Sequence, residues 1–266
     1  MKKTGLNFWM LAVLCATAVL GGCASNQSGG SSGELPTMSD QTDIQKRARI
    51  RLQLAVDYFE QGQLDVALDE VKKALTADPE FSDAFSVRAL IYMRMNETRL
   101  AEENFLHAIK LAPNNPDLSN NFGWFLCQSG RPALAMPYFE SSISNRNYQS
   151  PAKAMYNAGM CSLMLKDRVV AERYFLQAFK IEPGNPSVNV SLSKIYYDRR
   201  DYERARFYIS RVTKADVMNP DVLWLAIKVE HHLGDKAAEA SLATQLGRRH
   251  PNSPEFASYQ RGAFDE

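Results

Sequence analysis

The chain has 266 residues, with 31 Lys and Arg against 30 Asp and Glu, a formal net charge of +1. That balance offers no basic stripe for nucleic acid, and no RNA-reading motif accompanies it. Apolar residues make up 45% and aromatics 10%, which supports a substantial core rather than general disorder, while four cysteines are too few for a disulfide-built scaffold.

Residues 1–22 read as an export leader. Lys2 and Lys3 supply a positive start, and the apolar run over 8–20 is too short for a comfortable membrane span. It ends in Leu20-Gly21-Gly22-Cys23, which resembles the lipobox of bacterial lipoproteins. The resemblance implies a thioether-linked diacylglycerol on Cys23, cleavage that makes Cys23 the N-terminus, and acylation of that terminus. An ordinary leader cleaved nearby, with Cys23 a bystander, is the alternative. Ala24 stands where many Gram-negative lipoproteins carry the aspartate that retains them at the inner membrane. The expectation is therefore an outer-membrane anchor facing the periplasm. Residues 23–41 then form the lipidated N-terminus and a Gly/Ser tether, ASNQSGGSSGELPTMSD over 24–40, with a reach of roughly 20–25 Å.

From residue 42 to the end the pattern is paired amphipathic helices, beginning with Thr42 or Asp43 as a cap. Residues 82–115 set the template: two helices, a turn at Asn96, and a close at Pro113. A close helix crossing needs a side chain no larger than a methyl, supplied here by Ala89, Ala101 and Ala108. The alanine opening each second helix recurs as Ala67, Ala101, Ala135, Ala171 and Ala205, with Glu239 in a degenerate sixth place. The small residue of each first helix recurs as Ala55, Ala89, Gly123, Gly159 and Ser193, with Ile227 in the sixth unit. Bulky partners follow as Val71, Phe105, Phe139, Phe175 and Ile209. First helices end near residues that tolerate a left-handed backbone in four units, Gly62, Asn96, Gly130 and Gly234. Closing loops keep the same beat at Pro79, Pro113, Asn147, Pro183, Val217 and Pro251.

A period of about 34 residues with this pattern resembles the tetratricopeptide repeat (TPR). The resemblance implies an all-α solenoid, a right-handed superhelix of about six units over residues 48–81, 82–115, 116–151, 152–185, 186–219 and 220–253. A short helix within 253–264 is expected to cap the open end. Arg51, Ser119 and Asn189 depart from the large residue usual at the fourth position of a unit. Between units three and four, residues 144–151 (SNRNYQSP) add two positions, read as a longer surface loop. Cys127 and Cys161 fall in neighbouring first helices, about half a turn out of register. A disulfide and a pair of buried thiols both remain open, and a metal site is disfavoured because His231 and His232 lie a unit or more away.

No catalytic constellation is present: no G-x-S-x-G, H-E-x-x-H or glycine-rich phosphate loop. Glu102, Glu103 and Glu239 read as solvated helix-face charges. The expectation is a protein that is not an enzyme, with no small-molecule substrate and no cofactor beyond the lipid on Cys23. Carried over from the TPR pattern, positions five, nine and twelve of each unit face an inner groove. They are Leu52, Val56 and Phe59; Ser86, Leu90 and Met93; Asn120, Trp124 and Cys127; and Tyr156, Met160 and Leu163. This lining is largely apolar, with Lys194 and Lys228 appearing only later, so the ligand expected is a helix or extended segment of a partner. Packing between adjacent first helices is the alternative for any one of these side chains.

Lipobox, polar tether and six units together resemble the type IV pilus biogenesis lipoproteins, the pilotins of the PilF or PilW type. More specific are Asn120-Asn121-Phe122-Gly123-Trp124-Phe125-Leu126 and Asn185-Pro186-Ser187-Val188. That resemblance implies an outer-membrane lipoprotein that helps a secretin localise or assemble and supports the fibre, with the secretin or another pilus-assembly protein in the groove. A general periplasmic TPR adaptor for cell-wall hydrolases or proteases would share every feature derived from spacing.

Overall fold

The computed structural model describes residues 41–214 and 218–265. The leader, Cys23, the tether and Val217 lie outside the described residues. Among these residues there are thirteen α-helices and no strand. The first helices of the six units are α1 (Asp43–Glu60), α3 (Ser82–Arg94), α5 (Pro116–Gln128), α7 (Pro151–Met164), α9 (Pro186–Asp198) and α11 (Pro220–Leu233). Their partners are α2 (Leu64–Ala77), α4 (Thr98–Leu111), α6 (Pro132–Ser144), α8 (Arg168–Ile181), α10 (Tyr202–Lys214) and α12 (Lys236–Arg249), closed by α13 (Pro254–Gln260). Each pair packs as a hairpin, and each second helix leans on the next first helix.

The helix starts are written in the sequence. Thr42 forms a capping box with Gln45, each side chain bonding the other's backbone amide. Asn115 and Asn185 each accept two amide hydrogens of the following turn, with proline at the first helical position. Asp167, Asp235 and Ser253 cap α8, α12 and α13, each accepting one amide hydrogen of the first turn. These bonds satisfy amides that the first turn of a helix leaves without partners.

All six hairpin turns pass through a left-handed residue, not only the four that the residue types suggest. Gly62, Asn96, Gly130 and Gly234 have φ of 76°, 62°, 77° and 76°, and Lys166 and Arg200 take the same conformation at 61° and 60°. The hairpin closes the same way each time, so the fourth and fifth units hold a long side chain in a strained backbone.

The small-residue register is the close contact of each hairpin. Ala55, Ala89, Ala67, Ala101, Ala135, Ala171 and Ala205 are wholly buried. Gly123 and Gly159 face the rings of Phe139 and Phe175, where an added Cβ would lie 2.9 and 2.5 Å from the nearest ring carbon. Ser193 is also buried and donates its hydroxyl to the Ala205 carbonyl at 3.0 Å. In the sixth unit Ile227 takes this position fully buried, against Ala243 and Leu246 of α12.

Three sequence expectations need correction. The insertion at 144–151 is not merely a longer surface loop. Tyr148 is only 6% exposed and Asn145 Nδ2 donates to the Asn114 carbonyl at 3.1 Å, so the extra residues plug the junction between units. Desolvation pushes the Tyr148 phenol up to about 12. Nor is Glu239 a solvated charge: it is 7% exposed and accepts hydrogen bonds from Lys236 at 2.9 Å and the His231 ring at 3.2 Å. Burial alone would raise its pKa, but these two partners outweigh that and hold the carboxyl below its usual value. Glu102 is likewise engaged, in a two-pronged pair with Arg131 at 2.7 and 3.1 Å that ties unit three to unit two. Asn120, expected in the groove lining, is instead wholly buried.

Two of the departures at the fourth position also have partners. Arg51 reaches the buried Glu70 at 2.9 Å. Asn189, 1% exposed, donates to the carbonyls of Pro183 and Asn185 at 2.9 and 2.8 Å, replacing an apolar contact with a tie to the loop. No helix among the described residues is long and apolar enough to cross a membrane.

Candidate functional site

The first helices present positions five, nine and twelve of each unit along one face. Leu52, Val56, Phe59, Leu90, Met93, Trp124, Tyr156, Met160 and Leu163 are all half-buried. Leu52 and Phe59 rest on the core of units one and two, and Leu90, Met93 and Trp124 on that of units two to four. Tyr156, Met160 and Leu163 rest on the core of units four to six. Each therefore gives one side to packing and keeps the other at the surface.

Asn120 does not belong to that lining. It is 0% exposed and lies within a polar ladder that crosses three first helices. Asn121 Nδ2 donates to Ser86 Oγ at 3.2 Å, Asn120 Nδ2 to Asn121 Oδ1 at 3.3 Å, and Asn157 Nδ2 to Asn120 Oδ1 at 3.0 Å. A buried amide must find partners, and this one finds them on the next helix, so it sets the spacing of α3, α5 and α7 rather than meeting a ligand. Cys127 is also fully buried. It is joined to Cys161 by a disulfide with Cα atoms 5.8 Å apart, a second tie between α5 and α7.

Successive first helices touch along the stack except α7 and α9, which barely meet. Between these two a cavity of about 860 Å³ opens, its floor made by Tyr156, Met160 and Leu163 of α7 and by Val190 and Ile195 of α9. Its volume lies within the range of ordinary ligand clefts, about 300–1,000 Å³. Lys166, Arg168, Lys194, Asp198 and Asp221 supply its charges; Arg168 is bound to Asp198 at 3.0 Å. Part of the apolar lining anticipated from units one to four, Tyr156, Met160 and Leu163, thus lines a hollow that spans units four to six. The signal available for this in sequence was the run Tyr156, Met160, Leu163 and then Val190 at the same positions. The splaying of α7 from α9 has no sequence marker.

Farther along, Lys228 lies over the rings of Tyr197 and Trp224, 5.1 and 5.5 Å from their centroids. Burial there holds its ammonium below the usual lysine range. No cluster of three or more His, Cys, Asp or Glu that could hold a metal occurs among the described residues. What the face offers is shape, apolar surface and a few charges, the means of gripping a polypeptide segment.

Comparison with known proteins fits that geometry. The tetratricopeptide repeat family model matches residues 52–116, 86–150 and 191–254. The type IV pilus assembly protein PilF of Pseudomonas aeruginosa is 28% identical over 209 residues, 79% of this chain and 83% of that protein. The crystal structure of PilW, described as a widely conserved type IV pilus biogenesis factor, aligns with a TM-score of 0.72 at 28% identity. It covers 83% of this chain and 100% of that one. A structure of Pseudomonas aeruginosa PilF aligns at 0.74 with 26% identity and the same coverage. The chain belongs to the tetratricopeptide repeat family, and its relatives include proteins of type IV pilus biogenesis.

Proposed function

We propose that this protein is a periplasmic adaptor of type IV pilus biogenesis, anchored in the outer membrane through lipidated Cys23. Its groove holds a segment of the secretin or of another pilus-assembly protein while the pore assembles. The observation that carries the binding role is the open apolar cavity between α7 and α9, floored by Tyr156, Met160, Leu163 and Val190. The pilus assignment is supported by the likeness to PilF and PilW over most of the chain. The lipobox-like Leu20-Gly21-Gly22-Cys23 and the Gly/Ser tether support the anchor. Lipid would supply the address and the groove the grip; no chemistry on the partner is involved.

The test is a deletion strain complemented with variants. Without the protein, secretin multimers should fall or appear at the inner membrane, and the unaltered chain should restore them. Met160→Asp with Val190→Asp should fail to restore them while far-UV circular dichroism stays helical. Leu52→Asp with Phe59→Asp examines the first-unit end of the same face. Cys23→Ala should remove the chain from the outer-membrane fraction. Normal secretin multimers in the deletion strain would dismiss the pilus role. Normal restoration by folded variants at both ends would dismiss the groove.

A further inference from the structure

The inner face of the last unit is not open, because the chain's own end covers it. Trp224 and His231 are positions five and twelve of the sixth unit, and both meet Phe264. The Phe264 ring stacks on His231 with centroids 3.6 Å apart and planes at 6°, and lies 5.5 Å from Trp224. Tyr197, position twelve of the fifth unit, donates its hydroxyl to the Phe264 carbonyl at 3.1 Å. His232, stacked on Tyr202 at 4.5 Å, holds Nε2 at 3.1 Å from the Tyr197 hydroxyl and, at longer range, 3.7 Å from an Asp265 carboxylate oxygen.

Side chains from two units thus meet three features in sequence: an aromatic ring, the carbonyl of the same residue and the carboxylate of the next. Closing the stack does not require all three. Phe256 and Tyr259 of α13 already pack on Leu223, Ala243 and Leu246, and the Asp265 side chain is 92% exposed. The segment lies on the face as a bound peptide would. A small hollow beside it, lined by Tyr197, Arg200, Tyr202, His232 and Asp265, shares Asp198 with the large cavity.

We propose that Tyr197, Trp224, His231 and His232 form a recognition seat for a partner segment carrying an aromatic residue followed by a carboxylate, and that residues 262–265 are an internal ligand which such a segment displaces. The occupant is argued from the chain's own Phe264-Asp265, which displays the matching chemistry in place. The proposal rests on the inner face being a binding surface, but its test uses no pilus protein, so the two can fail separately.

The probe is a fluorescently labelled peptide RGAFDE, the sequence of residues 261–266, with anisotropy as readout. A tethered segment competes at an effective concentration on the order of 1 mM. A peptide that binds the vacated seat at roughly 100 µM should therefore bind the unaltered chain about tenfold more weakly. The mature chain carrying Phe264→Ala and Asp265→Ala should bind it at least tenfold more tightly than the unaltered chain. The same peptide with alanine for phenylalanine should bind neither, and adding Trp224→Ala to the vacated chain should abolish binding. If the double variant loses helicity, Asp265→Ala alone alters only an exposed carboxylate and should give a two- to threefold gain. Equal binding by the unaltered and vacated chains, or no binding to a folded vacated chain, would overturn the proposal.

Discussion

Replacing Gly159 with alanine is the most direct probe of the hairpin contact. The new Cβ would lie 2.5, 2.7 and 2.9 Å from three carbons of the Phe175 ring, where ordinary carbon contacts are about 3.5–4.0 Å. Phe175 is 0% exposed, so the ring has no open side to swing into. Overpacking of this kind costs about 1–3 kcal/mol, while alanine returns about 1 kcal/mol of helix propensity. An overlap as close as 2.5 Å puts the cost in the upper part of that range, so the net loss should be about 1–2 kcal/mol, lowering Tm by about 2–8 °C for a domain of this size. Gly123 supplies the control, since its added Cβ would meet Phe139 at 2.9, 3.1 and 3.2 Å. There the smaller overlap and the propensity gain nearly cancel, and the change should stay within about 0.5 kcal/mol. Urea and thermal unfolding followed at 222 nm measure both. A Gly159→Ala chain at least as stable as its parent, or a Gly123→Ala chain that suffers more, would refute the reasoning.

The disulfide between Cys127 and Cys161 spans 34 positions, so reduction or a double Cys→Ser change should cost about 3–4 kcal/mol by loop entropy, read from urea midpoints with and without reductant. Arg200 holds φ at 60°, and Arg200→Gly should raise stability by about 1 kcal/mol; Gly62→Ala, with open space around the added methyl, should lower it through the backbone alone. Burial raises the phenols of Tyr148, Tyr196 and Tyr197 to about 12, with the Glu172 carboxylate adding to the effect at Tyr196. A raised folded pKa stabilises the neutral form, so this contribution is intact below the unfolded value near 10 and is lost as pH rises towards 12. Thermal scans should show a falling Tm across that window, and phenolate absorbance should rise together with loss of helicity.

The repeat was legible because close helix crossings fix residue size, and size is visible in sequence. Ala67, Ala101, Ala135, Ala171 and Ala205 mark one side of the contact and Gly123 and Gly159 the other. Turn positions were legible only where glycine or asparagine stood; Lys166 and Arg200 take the same backbone because neighbouring packing dictates it. Asn120 was misplaced for a related reason. Its position in the unit points inward, but asparagines on adjacent helices can bond one another, and that bond sets the spacing instead of exposing the side chain. The cavity and the tail seat depend on how far α7 stands from α9 and on a contact between Tyr197 and Phe264, 67 positions apart. Neither leaves a periodic trace. Of function, the sequence carried the apolar character of the inward positions, which is what the proposed binding role is built on.

Site-specific photo-crosslinking in living cells tests the central claim most directly. A crosslinking residue at position 160, on the floor of the cavity, should give an adduct with the secretin or another pilus-assembly protein. The same residue at position 134, in α6, where Leu134 is 59% exposed, should give none. Adducts at position 134 with none at position 160 would contradict the account.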